Sequence, residues 1–184
     1  NCNNKLIGAR YYRASTSALH WTEFRSPRDS VAGLTGHGGH GTHTASTAGG
    51  NNGALATSNG VSLGKASGMA PRARIAAYKV CWTAASTGRN GCATADSVAA
   101  IDQAVKDGVN VINFSIGPNA GGGAFDEPTE VAFLGAAAAG VFVATSGGNS
   151  GPSTPAPDVP APVSHISAWM ATVVNSTLNR LYAG

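Results

Sequence analysis

The sequence predicts an α/β fold, a doubly wound and mostly parallel sheet with helices on both faces. Two observations carry that expectation. Three apolar runs rich in β-branched and small residues, Ile75–Cys81, Val109–Ile116 and Val141–Ser146, lack the charge alternation of half-exposed strands. Such runs suit a parallel sheet covered on both sides. The segments between them carry helical patterns instead, and strand, helix, strand, helix, strand implies right-handed crossovers.

Each element has its own signals. Ala93–Asp107 sets Val98, Ile101, Ala104 and Val105 on one helical face, and Gly108 follows where a helix stops. Glu127–Ala139 has Pro128 for its first turn, Asp126 as a cap and Gly140 as its stop. Ile166–Val174 adds a further strand. The glycines gather at 33–41, 49–68, 117–123 and 147–151. Two of these clusters directly follow a strand's carboxyl end, where open α/β sheets place their ligands. Tight turns explain glycine equally well.

Composition narrows the function. The 184 residues include 25 glycines but only 11% charged residues, against a usual charged share of ~25%. With 42% hydrophobic residues the chain can bury a core. Sparse charge argues against a coiled coil or a disordered tail. The 12 basic and 9 acidic residues are scattered and give a net charge of +3, so neither nucleic acid nor an anionic membrane is the expected partner. No run reaches the ~18 apolar residues of a membrane span. Starting on Asn1, the chain reads as processed or trimmed. Cys81 and Cys92 flank a polar loop and would close it as a disulfide in an oxidising compartment, or else remain two separate buried thiols. Cys2 is left over, which points to a partner upstream.

The segment Gly36–Gly50, GHGGHGTHTASTAGG, is the most specific. Three readings compete for His37, His40 and His43. Metal binding would make a hydrolase of a different kind, but a zincin helix needs H-E-x-x-H and here Gly41-Thr42 intervene. A histidine packed in a small-residue helix is the second. The third is a general base at the first turn of a helix buried against the sheet, with Thr42–Ala48 supplying the small residues.

H-G-T-H followed by small residues resembles the histidine block of subtilisin-like serine proteases. Three further blocks resemble that family in order: Ser67–Trp82 (SGMAPRARIAAYKVCW), Val109–Gly117 (VNVINFSIG) and Val141–Pro152 (VFVATSGGNSGP). Cys2–Tyr12, Ser26–Asp29 and the Cys81/Cys92 pair are similar to the cucumisin-like subfamily, in which a protease-associated domain follows a stretch resembling Ser164–Gly184.

The resemblance implies a secreted serine endopeptidase acting through an Asp/His/Ser triad without a cofactor or metal. His40 matches the catalytic base and Asn149 the oxyanion-hole amide. His43 matches a companion whose expected role is packing. Ser115-Ile116-Gly117 and Ser146-Gly147-Gly148 match two backbone segments that hold an extended polypeptide substrate between them. The upstream D-[ST]-G block and the downstream G-T-S-M-A block are both absent from residues 1–184. Asp29-Ser30 is followed by Val31 where glycine belongs, so it is no substitute. Asn113–Gly117 resembles half of a lipase elbow, but a loop at Pro118–Gly123 follows in place of the required helix. Residues 1–184 are therefore expected to be the middle of a catalytic domain, inactive alone and partnered by the rest of that domain. A catalytically silent peptide-binding α/β domain is the alternative.

Overall fold

The computed structural model describes residues 2–14, 18–21, 23, 26–28, 38–85, 90–117, 125–149 and 163–175. Asp29, His37 and the 118–123 loop lie outside them. The chain divides into two compact units, Asn1–Ala104 and Val105–Gly184.

In the first unit, β1 (Leu6–Tyr11) pairs in parallel with β4 (Ile75–Lys79), Ala9 opposite Ala77 and Tyr11 opposite Lys79. Between them lie helix α1 (His40–Gly49) and a hairpin of β2 (Ala54–Ser58) and β3 (Val61–Ala66). The hairpin turns on Asn59 and Gly60, both with positive φ, as a two-residue turn with primed twist requires. The strand expected over Ile75–Cys81 divides at the buried Val80. Beyond it, β5 (Cys81–Thr83) changes partner and runs antiparallel to β6 (Asn90–Cys92). Cys81 faces Cys92 in that register, and the two form the disulfide. Cys2 is exposed and unbridged among the described residues.

Trp82, 1% exposed, lies at the centre of this unit. Its indole N–H donates to Tyr12 O at 2.7 Å, and Lys79 Nζ stands 4.2 Å from its ring centre. Helix α2 (Thr94–Lys106) buries Ala100, Ile101 and Ala104 and stops just before Gly108, whose φ is positive, close to the expected bounds.

The second unit is a parallel sheet in the order β7 (Val111–Phe114), β8 (Phe142–Ser146), β9 (Ala171–Val173). Helix α3 (Pro128–Ala138) makes the β7-to-β8 crossover, as parallel neighbours demand. Its cap is Glu127 and not Asp126: the Glu127 carboxylate accepts from the N–H of Thr129 at 2.9 Å and of Glu130 at 3.3 Å. An acidic cap suits the positive end of the helix dipole. Phe133, Ala136, Val141 and Val143 form the core, with Phe114 edge-on to Phe133 at 5.1 Å between ring centres. The strand expected over Ile166–Val174 is only three residues long, because the chain before it makes side-chain contacts in place of a ladder. The class is as predicted: α/β, with parallel pairing in both units.

Candidate active site

His40 is the first residue of α1, and Gly39 before it takes the left-handed conformation at φ 85°. The His40 side chain is exposed at this helix end. The other end of α1 is fastened by backbone. Gly68, Met69 and Ala70 donate to the carbonyls of Gly50, Thr47 and Ala48 at 3.1, 2.9 and 2.8 Å. These bonds satisfy carbonyls that a helix terminus otherwise leaves without partners. Gly50 and Gly68 let the two segments approach so closely: a methyl group added at Gly68 would stand 2.2 Å from Gly50 N. His43, by contrast, is exposed rather than packed, which corrects the packing role expected for it.

The other sequence-predicted residues belong to the second unit. Ser115-Ile116-Gly117 runs on from β7 beyond the sheet ladder, and Gly147-Gly148-Asn149 runs on from Ser146, the last residue of β8. The two segments leave adjacent parallel strands at their carboxyl ends, since Phe114 pairs with Thr145. That is the ligand-binding end of an open α/β sheet. Asn149 is exposed. Ser115 Oγ is tied to Asn113, whose amide donates to it at 3.0 Å. Gly147 is held on both sides: its N–H donates to Val173 O at 2.8 Å and its carbonyl accepts from Ser164 N at 3.0 Å.

Beneath these segments lies a polar cluster that sequence reasoning missed. Glu130, fully buried on α3, stands with one carboxylate oxygen 2.6 Å from His165 Nδ1. Ser167 Oγ donates to its other oxygen. On the far side of the imidazole, Nε2 lies 2.6 Å from Ile116 O. A carbonyl only accepts, so Nε2 carries the hydrogen there. The Trp169 indole donates to the Glu130 carbonyl at 2.9 Å. The one available signal was Glu130 itself, an acid in the otherwise apolar and small stretch VAFLGAAA that follows it.

Among the described residues no three His, Cys, Asp or Glu side chains gather into a metal-holding group, and no helix is long and apolar enough to cross a membrane. The model of the subtilase family matches residues 7–180.

The chain belongs to the subtilase family.

Its relatives include two subtilisin-like proteases of Arabidopsis thaliana. SBT1.6 is 42% identical over 188 residues, covering 98% of this chain and 22% of that protein. SBT2.1 is 44% identical over 186 residues, covering 100% and 21%. This subtilase chain thus spans about a fifth of the length of those relatives. Among solved structures, sphericase aligns over 70% of this chain and 37% of its own at 28% identity, with a TM-score of 0.42.

Proposed function

We propose that this chain is the central part of the catalytic domain of a secreted serine endopeptidase. His40 is its general base and Asn149 its oxyanion-hole donor. The observation that carries the reading is the pair of segments 115–117 and 146–148, which leave neighbouring strands side by side in a member of the subtilase family. An extended peptide added between them would gain backbone hydrogen bonds along both edges, with side-chain pockets giving preference.

His40 takes the proton of a serine hydroxyl as that oxygen attacks the scissile carbonyl, and returns it to the leaving amine. The serine, and the aspartate that orients the imidazole, come from parts of the domain outside these 184 residues. The Asn149 amide donates to the oxygen that gains negative charge, so its contribution is larger in the transition state than in the bound substrate. The Cys81–Cys92 disulfide supports an oxidising, extracellular destination. A protease-associated domain is the further intramolecular partner that the subfamily resemblance implies.

The test is made on the intact protein with a peptide substrate and a serine-directed fluorophosphonate label. His40→Ala abolishes both turnover and labelling, a loss of roughly 10⁴-fold or more, while the circular dichroism spectrum is unchanged. Asn149→Ala lowers kcat by ~10²–10³, a magnitude taken from subtilisin itself. Turnover retained by a folded His40→Ala protein removes His40 from the triad. Peptide binding by a wild-type protein that never cleaves selects the silent-domain alternative.

A further inference from the structure

We propose that the buried Ser164–His165 turn, locked from behind by Glu130, is the device that sets the two substrate-holding segments in register. This rests on reading 115–117 and 146–148 as those segments. Ser164 and His165 are 1% and 5% exposed, and they touch both.

His165 holds the first segment through Ile116 O at 2.6 Å, and Ser164 N holds the second through Gly147 O at 3.0 Å. The Ser164 side chain also lies close against both segments. A methyl group added at Gly117 would lie 3.1 Å from Ser164 Oγ, and one added at Gly148 would lie 2.9 Å from it. The turn is itself under constraint. His165 adopts φ 57°, a conformation few non-glycine residues take unless their surroundings impose it. Thr172 Oγ1 donates to the His165 carbonyl, tying the turn to β9.

The side-chain chemistry explains why a histidine and a glutamate occupy this place. With Nε2–H committed to a carbonyl, Nδ1 and Glu130 share one proton between them, and the pair is neutral overall in either arrangement. A neutral, fully hydrogen-bonded pair can be buried where a lone charge cannot. The rings of Phe114 and Phe133 stand edge-on to the imidazole at 5.6 and 6.3 Å and limit its rotation.

The consequence concerns the substrate side. Successive carbonyls of an extended chain point to opposite sides, so drawing Ile116 O inward aims the backbone groups of Ser115 and Gly117 outward. Gly147 is fixed likewise, with both of its backbone groups used internally. Glu130, Ser164 and His165 are thus positioning residues: they act on substrate through the two segments.

The test compares a long peptide, which pairs with both segments, with p-nitrophenyl acetate, which needs only the triad. The intact protein carries His165→Asn, since asparagine tolerates positive φ but cannot span from Glu130 to Ile116 O. KM for the peptide rises about 10-fold, while ester hydrolysis falls far less. Glu130→Ala, which frees the imidazole, gives a similar split. Glu130→Gln, which can still hydrogen-bond both Nδ1 and Ser167, recovers most of the loss. Equal losses on peptide and ester, or an unchanged peptide KM, overturn the proposal. Imidazole ¹⁵N signals of the wild type supply a readout independent of activity: Nε2 carries the proton, and a spectrum with Nε2 unprotonated also overturns it. A wild-type protein that cleaves neither substrate refutes the protease reading instead, and the ¹⁵N result still stands or falls by itself.

Discussion

Gly68→Ala is the substitution that most directly tests how His40 is positioned. The added methyl group would meet Gly50 N at 2.2 Å, Ser46 O at 2.8 Å and Gly49 C at 2.9 Å. All three are backbone atoms, so no side-chain rotation relieves the overlap. The chain at 68–70 must move away from the carboxyl end of α1, against the three hydrogen bonds that join them. Overpacking of this kind costs ~1–3 kcal/mol, and losing one of the bonds adds about 1 kcal/mol. A total of about 2–4 kcal/mol lowers the thermal midpoint by about 5–10 °C in a domain of this size. Activity suffers as well. His40, the proposed base, stands at the opposite end of a ten-residue helix, about 15 Å away, so tilting the fastened end displaces it. A misplacement of about 1 Å can cost ~10²-fold in rate. Differential scanning fluorimetry and peptide kinetics on the intact protein measure the two effects together. A midpoint within about 2 °C of wild type would falsify the close-approach argument.

Three further outcomes follow from local geometry. Replacing Cys81 and Cys92 by serine opens a loop with a sequence separation of 11 and lowers stability by about 2–3 kcal/mol, read as the shift in urea midpoint with and without reductant; no shift means the bridge does not constrain the unfolded chain. Glu23 has a side chain 1% exposed and accepts from Lys79 Nζ and from Thr83 N and Oγ1, each at 2.8 Å. Burial by itself raises its pKa, but the hydrogen bonds from Lys79 and Thr83 and the Lys79 charge outweigh burial and hold it below the ordinary 4.5. A lowered carboxyl contributes stability that is present above about 4.5 and is lost as pH falls through the lower folded value. Thermal midpoints of the wild type should therefore fall more steeply below that pH than those of Glu23→Gln, and parallel profiles would refute the assignment. Gly135 lies exposed inside α3 with no atom within 4 Å of an added methyl group, so Gly135→Ala stabilises by about 0.5–1 kcal/mol; a lower midpoint would show that this face is covered in the intact protein.

What the sequence made legible, and what it did not, divides along a physical line. The core strands announce themselves through contiguous β-branched and apolar residues, although Val111 and Phe142 are exposed in the structure; α2 does so through its apolar spacing and Gly108, and α3 through Pro128 and Gly140. His40 stood out through a motif that is continuous in the chain. The β2–β3 hairpin was missed although Asn59-Gly60 is a strong turn signal; its strands are exposed throughout, apart from Ala56, and carry no buried face for periodicity to reveal. The Asp126 cap was misassigned by one residue, because both Asp126 and Glu127 are acidic and only backbone geometry chooses between them. Glu130 and His165 are 35 residues apart, and no local pattern links two polar residues at that distance.

The same cluster explains how two glycine-rich segments, proposed above to hold a peptide, can be rigid. Apart from Ile116, segments 115–117 and 146–148 carry only small side chains, so interdigitating apolar packing does little to locate them. Their positions must come from backbone hydrogen bonds, and those require donors and acceptors buried behind the segment. In this chain the donors are Ser164 N and His165 Nε2, and the group fixing the imidazole is Glu130. Low overall charge and the buried Glu130 are therefore two sides of a single arrangement. Where glycine leaves the backbone without side-chain support, the second unit admits a neutralised pair, Glu130 and His165.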